Sequence, residues 1–304
     1  MELISSIWNC VGSVIGTIVL AAVLISLLFT VFELLSYKAP AFSRKSPKGI
    51  ALITGASSGL GREYAKQLSK KAELYNIKEF WLLGRKKEEL LKTASCLALP
   101  AQIFPFDLED EEALFSFEST LKEHSAKDKD FHVSLLLNCA GFGKHGSSRL
   151  LGRKMEQSMT KVNVLSVLSM THMVLPYMKA KDRIVNLASV AGFQPIPYLN
   201  CYAASKAFVY SYSRALRSEL LKQKISVTTV APYWIYDTSF IKNSCGKARR
   251  PFMASKTESV VRLSLRAVRR RRALSTPGIL CSVERIFAGF IPDNLLAWLM
   301  TKFL

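Results

Sequence analysis

From residue 49 onward, short apolar runs alternate with longer stretches whose apolar residues recur at helical spacing, and no other feature narrows the fold as much. GIALIT, EFWLLG, AQIFPF, HVSLLLN, RIVNLA and ISVTTVA are apolar and bounded by turn or polar residues. Runs of that kind read as strands buried on both faces. Between them lie GREYAKQLSKKAEL, KKEELLKTASCLA and DEEALFSFESTLKEH, which carry the helical period. Strand and helix in alternation build βαβ units, so the expected fold is α/β, a Rossmann-type doubly wound parallel sheet. One domain of roughly 250 residues fits better than two. It is expected over residues 49–280, followed by an apolar helical tail at 281–304.

The N-terminus is a different material. Residues 3–32 hold no Asp, Glu, Lys or Arg, and VGSVIGTIVLAAVLISLLFTVF is almost wholly apolar. A bilayer span needs roughly 20 such residues, which predicts one transmembrane anchor within residues 1–35. A cleaved secretory signal would carry a positive n-region, but only Glu2 precedes the run. A buried core helix would be shorter. Residues 36–48, SYKAPAFSRKSPK, read as a basic linker. Lys38, Arg44, Lys45 and Lys48 follow the span, which places the folded domain on the cytoplasmic side, at the endoplasmic reticulum or a bacterial cell membrane.

A net charge of +19 calls for an acidic partner or surface. The six cysteines, Cys10, Cys96, Cys139, Cys201, Cys245 and Cys281, form no CxxC pair, and no histidine stands at ligand spacing. Free thiols in a reducing compartment follow, with no metal site. The four histidines (His124, His132, His145 and His172) are expected on the surface or in loops, with His145 a weak candidate for the site entrance.

The first strand runs directly into TGASSGLG, Thr54 to Gly61, at the start of a helix. Gly55, Gly59 and Gly61 permit a tight turn against a pyrophosphate, and the helix N-terminus offers free N–H groups. The spacing is TGxxxGxG, not GxGxxG. NAD-binding folds place an acid at the end of the second strand, but LLGRKKEE puts Gly84 there, followed by Arg85 and Lys86. No carboxylate repels a 2′-phosphate, and Arg85 can hold one through two donors, so NADP(H) is the expected cofactor. Asp107, closing the third strand, either reaches the adenine or caps the next helix.

TGASSGLG, Asn138-Cys139-Ala140-Gly141, Asn163 in KVNVLSV, Ser189 and YAASK (Tyr202 to Lys206) together resemble the short-chain dehydrogenase/reductase family over residues 48–240. The layout is similar to its membrane-anchored members, the microsomal hydroxysteroid dehydrogenases and the 3-ketoacyl and ketosphinganine reductases. Two positions depart: NCAG stands for NNAG, and Pro232-Tyr233 for PG. The resemblance implies a catalytic set of Asn163, Ser189, Tyr202 and Lys206. It implies cofactor contacts from Thr54, Gly55, Ser57, Ser58, Gly59, Gly61, Arg85, Asp107, Asn138, Ala140, Gly141, Tyr202, Lys206, Pro232 and Thr238. A free tyrosine titrates near 10, too high for a proton relay. Lys206, one helical turn on, favours the tyrosinate, and Ser189 holds the substrate oxygen. By resemblance, Lys206 also binds the nicotinamide ribose, and Asn163 holds a relay water.

The expected activity is hydride transfer between NADP(H) and a lipophilic ketone or secondary alcohol of steroid, 3-ketoacyl or ketosphingoid type. The alternative is a non-catalytic NADP-binding membrane scaffold, which would be expected to lose Tyr202 or Lys206. Tyr233, Trp234, Tyr236, Phe240 and Phe252 either cover such a substrate or belong to the core. Arg262, Arg266 and Arg269 to Arg272 suit anionic lipid better than nucleic acid, because no aromatic platform accompanies them. VERIFAGFIPDNLLAWLMTKFL reads as an interfacial contact, a lid or ordinary packing. The expected partners are a lipophilic small molecule, the membrane and a second copy in a homodimer, without nucleic acid.

Overall fold

The computed structural model describes residues 1, 6, 10–21, 24, 25, 28, 48–238, 240, 254–289 and 291–303. Residues 1–42 and 43–304 form two separate units. In the first, residues 10–21 are helical, with exposed apolar side chains such as Val14, Ile18 and Leu20. Among the described residues no helix is long and apolar enough to cross a membrane. Much of the uncharged run, and the linker up to residue 47, lie outside the described residues.

The second unit holds a parallel sheet. Its strands are β1 (Gly49–Thr54), β2 (Ile77–Gly84), β3 (Ala101–Pro105), β4 (Val133–Asn138), β5 (Arg183–Leu187), β6 (Ser226–Val230) and β7 (Leu274–Ser275), in the order β3-β2-β1-β4-β5-β6-β7. The connecting helices are α1 (Gly59–Ser69), α2 (Lys87–Ala94), α3 (Glu111–Lys127), α4 (Ser148–Thr160), α5 (Ser166–Val174), α6 (Asn200–Glu219) and α7 (Thr257–Arg269). Two more close the chain, α8 (Ile279–Ala288) and α9 (Asp293–Phe303).

Successive strand residues point to opposite faces, and here both faces are covered. Ala51, Ile53, Leu82, Leu135, Leu137 and Val185 meet Tyr64 and Leu68 of α1 and Val261, Leu265 and Val268 of α7. The alternate residues Ile50, Leu52, Trp81, Leu83, Leu136, Ile184 and Val227 meet Phe117 and Leu121 of α3, Met170 and Val174 of α5 and Leu216 of α6. That is why the strands read as unbroken apolar runs. β3 departs from this reading: as the edge strand it leaves Gln102 and Pro105 exposed. Two tyrosine hydroxyls bind α7 to its neighbours in the same helical layer. Tyr64 meets Ser264 Oγ at 2.5 Å, and Tyr75 donates to the Leu265 carbonyl at 2.9 Å.

Three expectations are refined. His132 lies in the loop before β4, as expected, but is buried there, 1% exposed, beside Gly49 at the start of β1. Arg271 of the basic stretch is also buried, because the chain turns there from α7 into β7 and its guanidinium donates to the Lys181 carbonyl. Arg262, Arg266, Arg269, Arg270 and Arg272 are exposed. Asp110, not Asp107, caps α3 by accepting from the Glu112 and Ala113 amides.

Candidate active site

The segments that follow the strands line a cavity of about 700 Å³ at the carboxyl end of the sheet. Gly55 follows β1, Gly84 ends β2, Asp107 follows β3, Cys139 follows β4, Ala188 follows β5 and Pro232 follows β6. Strand order reverses between β1 and β4, and open α/β sheets bind their ligands at that crevice.

The glycine loop occupies one end. Gly55 and Gly59 have φ of +68° and +51°, in the left-handed region that side chains resist. A Cβ on Gly61 would collide with the Gly55 carbonyl, so α1 can begin only if this residue is bare. Arg62 ties the loop down: it donates to the Ser57 carbonyl, pairs with Glu89 at 2.6 Å and donates to Thr93 Oγ1 at 3.0 Å. Thr93 in turn donates to the Ala56 carbonyl at 2.9 Å. Hydrogen bonds from Lys92 and Arg62 hold the Glu89 carboxyl down to about 2. None of Arg62, Glu89 and Thr93 is singled out by the sequence reading. Arg62 directly after GLG was the available signal. The loop and the start of α1 fit a dinucleotide pyrophosphate, which takes backbone N–H donors and a helix N-terminus.

Ser57 Oγ lies 3.2 Å from where a Cβ on Gly84 would stand. The exposed Arg85 guanidinium lies 3.6 Å from Asp107 Oδ2. Serine, arginine and aspartate therefore meet where the end of β2 borders the cavity.

Ser189, Tyr202 and Lys206 meet at the middle of the cavity. Ser189 starts a tight turn, Val190–Phe193, and its Oγ accepts from the Ala191 amide at 3.2 Å. Gly192 lets that turn lie on α6, because a Cβ there would stand 2.6 Å from the Lys206 backbone. Tyr202 and Lys206 sit one turn apart on α6. Lys206 Nζ donates to the Leu187 carbonyl at 2.8 Å and stands 5.8 Å from the centre of the Tyr202 ring. Burial pushes the Tyr202 hydroxyl up to about 12, with a hydrogen bond from Ser189 pulling the other way. Burial pushes the Lys206 ammonium down to about 8. Desolvation is the largest influence on both groups.

The site residues read from the sequence divide into two groups. Gly55, Ser57, Ser58, Gly59, Gly61, Arg85, Asp107, Ala140, Gly141, Ser189, Tyr202, Lys206, Pro232 and Thr238 line the cavity. Thr54, Asn138 and Asn163 stand behind its wall. Thr54 Oγ1 accepts from the Cys139 and Ala140 amides, at 3.0 and 3.1 Å. Asn138 Nδ2 donates to Asn186 Oδ1 at 2.9 Å inside the sheet. Asn163, in a π-helical turn over Lys161–Leu165, exchanges two bonds with the Phe142 backbone at 3.0 and 2.9 Å and donates to Ser205 Oγ at 3.0 Å. Its amide fixes the loop that covers Lys206. Such π-turns recur at functional sites.

The far wall is mostly apolar: Ile196, Leu199, Trp234, Phe240, Leu280 and Met300. Tyr233 joins Trp234 and Phe240 there, whereas Tyr236 does not, and Phe252 lies outside the described residues. The C-terminal tail belongs to this wall, with Leu280 and Val283 from α8 and Met300 from α9. His145 stands off the wall, its ring 5.7 Å from that of Tyr198.

A dinucleotide-binding oxidoreductase is the class that this sheet and this serine, tyrosine and lysine define. The family model for short chain dehydrogenases matches residues 49–247, and the chain belongs to that family. A very-long-chain 3-oxoacyl-CoA reductase of Coccidioides immitis is 30% identical over 290 residues, covering 92% of this chain and 77% of its own. Among solved structures, a short-chain dehydrogenase from Sphingobium yanoikuyae in complex with NADPH superposes with a TM-score of 0.68 at 24% identity, over 80% of this chain and 96% of that one. A 3-ketoacyl-(acyl-carrier-protein) reductase from Brucella melitensis complexed with NADH gives 0.61 at 24% identity, over 73% and 91%.

Proposed function

We propose that this chain is a membrane-anchored, NADP(H)-dependent reductase or dehydrogenase of a lipophilic ketone or secondary alcohol. The substrate classes it fits are long-chain 3-oxoacyl compounds, ketosphingoids and steroids. One observation carries the reading: a single cavity joins Ser189, Tyr202 and Lys206 to a wall of Ile196, Leu199, Trp234, Phe240 and Met300. The relative from Coccidioides immitis, a very-long-chain 3-oxoacyl-CoA reductase by name, supports the chain-length class. Gly84 in place of an acid, with Ser57 and Arg85 beside it, supports NADP(H) over NAD(H). The uncharged run at residues 3–32 and the basic residues after it support an anchor with the catalytic domain on the cytoplasmic side.

In this reading the glycine loop and Lys206 would hold a nicotinamide dinucleotide, which when bound would supply the hydride for the carbonyl carbon. Ser189 Oγ donates to the substrate oxygen and fixes it. Tyr202 delivers the proton that converts the developing alkoxide to alcohol, and takes it back in the oxidative direction. Lys206, aimed by the Leu187 carbonyl, places positive charge beside the tyrosine. The Asn163 amide keeps the Gly141–Gly143 loop over that lysine. The test is NADPH oxidation by the full-length protein in detergent, with long-chain 3-oxoacyl thioester, ketosphingoid and steroid substrates. The expected result is turnover of a long-chain ketone with NADPH well above that with NADH. No oxidation with any of the three classes overturns the reading.

A further inference from the structure

The far wall of the cavity has one polar corner. Glu284 of α8 and Gln194, the residue after the Val190–Phe193 turn, both line the cavity, and Gln194 Nε2 donates to Glu284 Oε1 at 2.6 Å. Leu280 and Val283 on the same helix line the same cavity, as does Tyr233, which lies near enough to feel the Glu284 charge. A carboxylate in such surroundings is costly unless its oxygens are satisfied. The Gln194 amide satisfies one. Among the described residues no donor reaches Glu284 Oε2. Gln194 itself is turned so that it donates, which leaves the corner rich in acceptors.

The corner is also fixed relative to the chemistry. Ser189 opens the turn and Gln194 follows it, so the four residues of the Val190–Phe193 turn, five backbone steps, separate the serine that holds the substrate oxygen from the amide that holds Glu284. At about 2 Å of rise per residue, the two are on the order of 10 Å apart. A chain several carbons long, held at Ser189 by its carbonyl, reaches the corner.

We propose that Glu284, positioned by Gln194, is a specificity residue that accepts a hydrogen bond from a hydroxyl or amino group carried by the lipophilic substrate some carbons from its ketone. This rests on the hydride-transfer reading above and sharpens it: the substrate is a ketone bearing a donor, not a plain hydrocarbon ketone. Sites built to hydrogen-bond a donor reject analogues that lack it, because the buried acceptor is then stranded.

The test uses the full-length protein in detergent with its cofactor bound. The probes are medium-chain ketones that are unsubstituted or carry one hydroxyl or one primary amine at successive positions. Calorimetric titration gives affinities for the wild type, Glu284→Gln, Glu284→Leu and Gln194→Leu. At the best position the wild type should prefer the donor-bearing ketone by roughly 10- to 100-fold over the plain one. Glu284→Leu should abolish that preference while binding the plain ketone as well as before or better. Glu284→Gln should keep part of a hydroxyl preference and lose an amine preference, which separates the two donors. Unchanged cofactor affinity certifies that each variant is folded, and Glu284→Gln keeps the test open if the leucine variant is not. A wild type that never prefers a donor, or a preference that survives Glu284→Leu, overturns the proposal. Binding preference without turnover would sink hydride transfer and leave the assignment of Glu284 standing.

Discussion

Replacing Tyr202 with phenylalanine removes one oxygen from the centre of the cavity and little else. The ring keeps its contacts with Phe240, whose centroid lies 5.3 Å away, and with the Gly143 backbone. The hydroxyl's partner, Ser189, is not orphaned, because its Oγ still accepts from the Ala191 amide and lies 3.5 Å from the Pro232 carbonyl. The folded state therefore loses about one hydrogen bond, roughly 1 kcal/mol. In a domain of this size that lowers the melting temperature by about 2–4 °C. Removing a general acid costs at least ~10²-fold in turnover, about 2.7 kcal/mol in the barrier. The chemical loss is more than twice the structural one, so the two are separable. Stopped-flow NADPH oxidation, cofactor titration and thermal melting on the same preparation decide it. Turnover within about threefold of wild type, or cofactor affinity lost together with the melting temperature, would refute the role given to this hydroxyl.

Lys206→Met should lose turnover and cofactor affinity yet melt no lower than wild type near pH 7. Burial lowers the folded-state pKa from 10.5 to about 8, so the charged lysine opposes folding below pH 8 and the penalty fades as pH rises toward 10.5. Melting across that window should rise less steeply in the variant. Arg85→Ala should weaken NADPH by about tenfold, because the guanidinium is exposed and partly screened, and leave NADH unchanged. An equal loss for both cofactors would assign Arg85 to the fold. Glu284→Gln should stabilise the protein above pH 7 and not below pH 4.5. The folded carboxyl is pushed up from 4.5 to about 7 by burial, and its favourable contribution is lost as pH rises between those values. The facing Tyr233 hydroxyl and Cys281 thiol are both shifted upward by burial and stay neutral in that range. Full-length protein should resist carbonate extraction from membranes, whereas a chain beginning at Ser46 should leave neutral vesicles but bind anionic ones in a salt-dependent manner, as fractionation will show.

The strands were legible because burial on both faces leaves long apolar runs, which few other structures produce. β3 was legible as a strand but not as an edge, since its one neighbour is β2 and only the order of the whole sheet shows that none lies on its other side. β7, two residues long, is too short to leave a pattern. In the site, residues whose backbone does the work were easiest to read. Gly55, Gly59 and Gly61 are defined by what they lack, and a spacing rule captures that. Thr54 and Asn138 flank the right loops, but their side chains bind inward, to the Cys139 and Ala140 amides and to Asn186. Sequence proximity to a motif does not give side-chain direction. The Leu187 carbonyl that aims Lys206 is main chain and leaves no trace in residue identity. Glu284 meets Gln194 across 90 positions, a pairing created only when α8 folds against the turn after β5.

Charge is distributed in opposite ways outside and inside this molecule. The chain carries +19 overall, and exposed arginines such as Arg262, Arg266 and Arg269 present that charge to solvent. A field of that sign draws in phosphate-bearing molecules and anionic surfaces and raises their encounter rate. Within the cavity, burial works against charge of either sign. It pushes Lys206 toward shedding its proton and Tyr202 and Glu284 toward keeping theirs. Each shift is toward the neutral form, although Lys206 at about 8 still keeps most of its charge at pH 7. Small changes in local charge on ligand binding then have large effects, because the same low dielectric that discourages ionisation strengthens every remaining interaction. Lys206 at about 8 and Glu284 at about 7 sit where such a change can move a proton, Lys206 near the Tyr202 ring and Glu284 at the far corner. In the proposed function the basic exterior would draw in anionic partners, and the mostly apolar wall would leave the choice of ketone to shape and to Glu284.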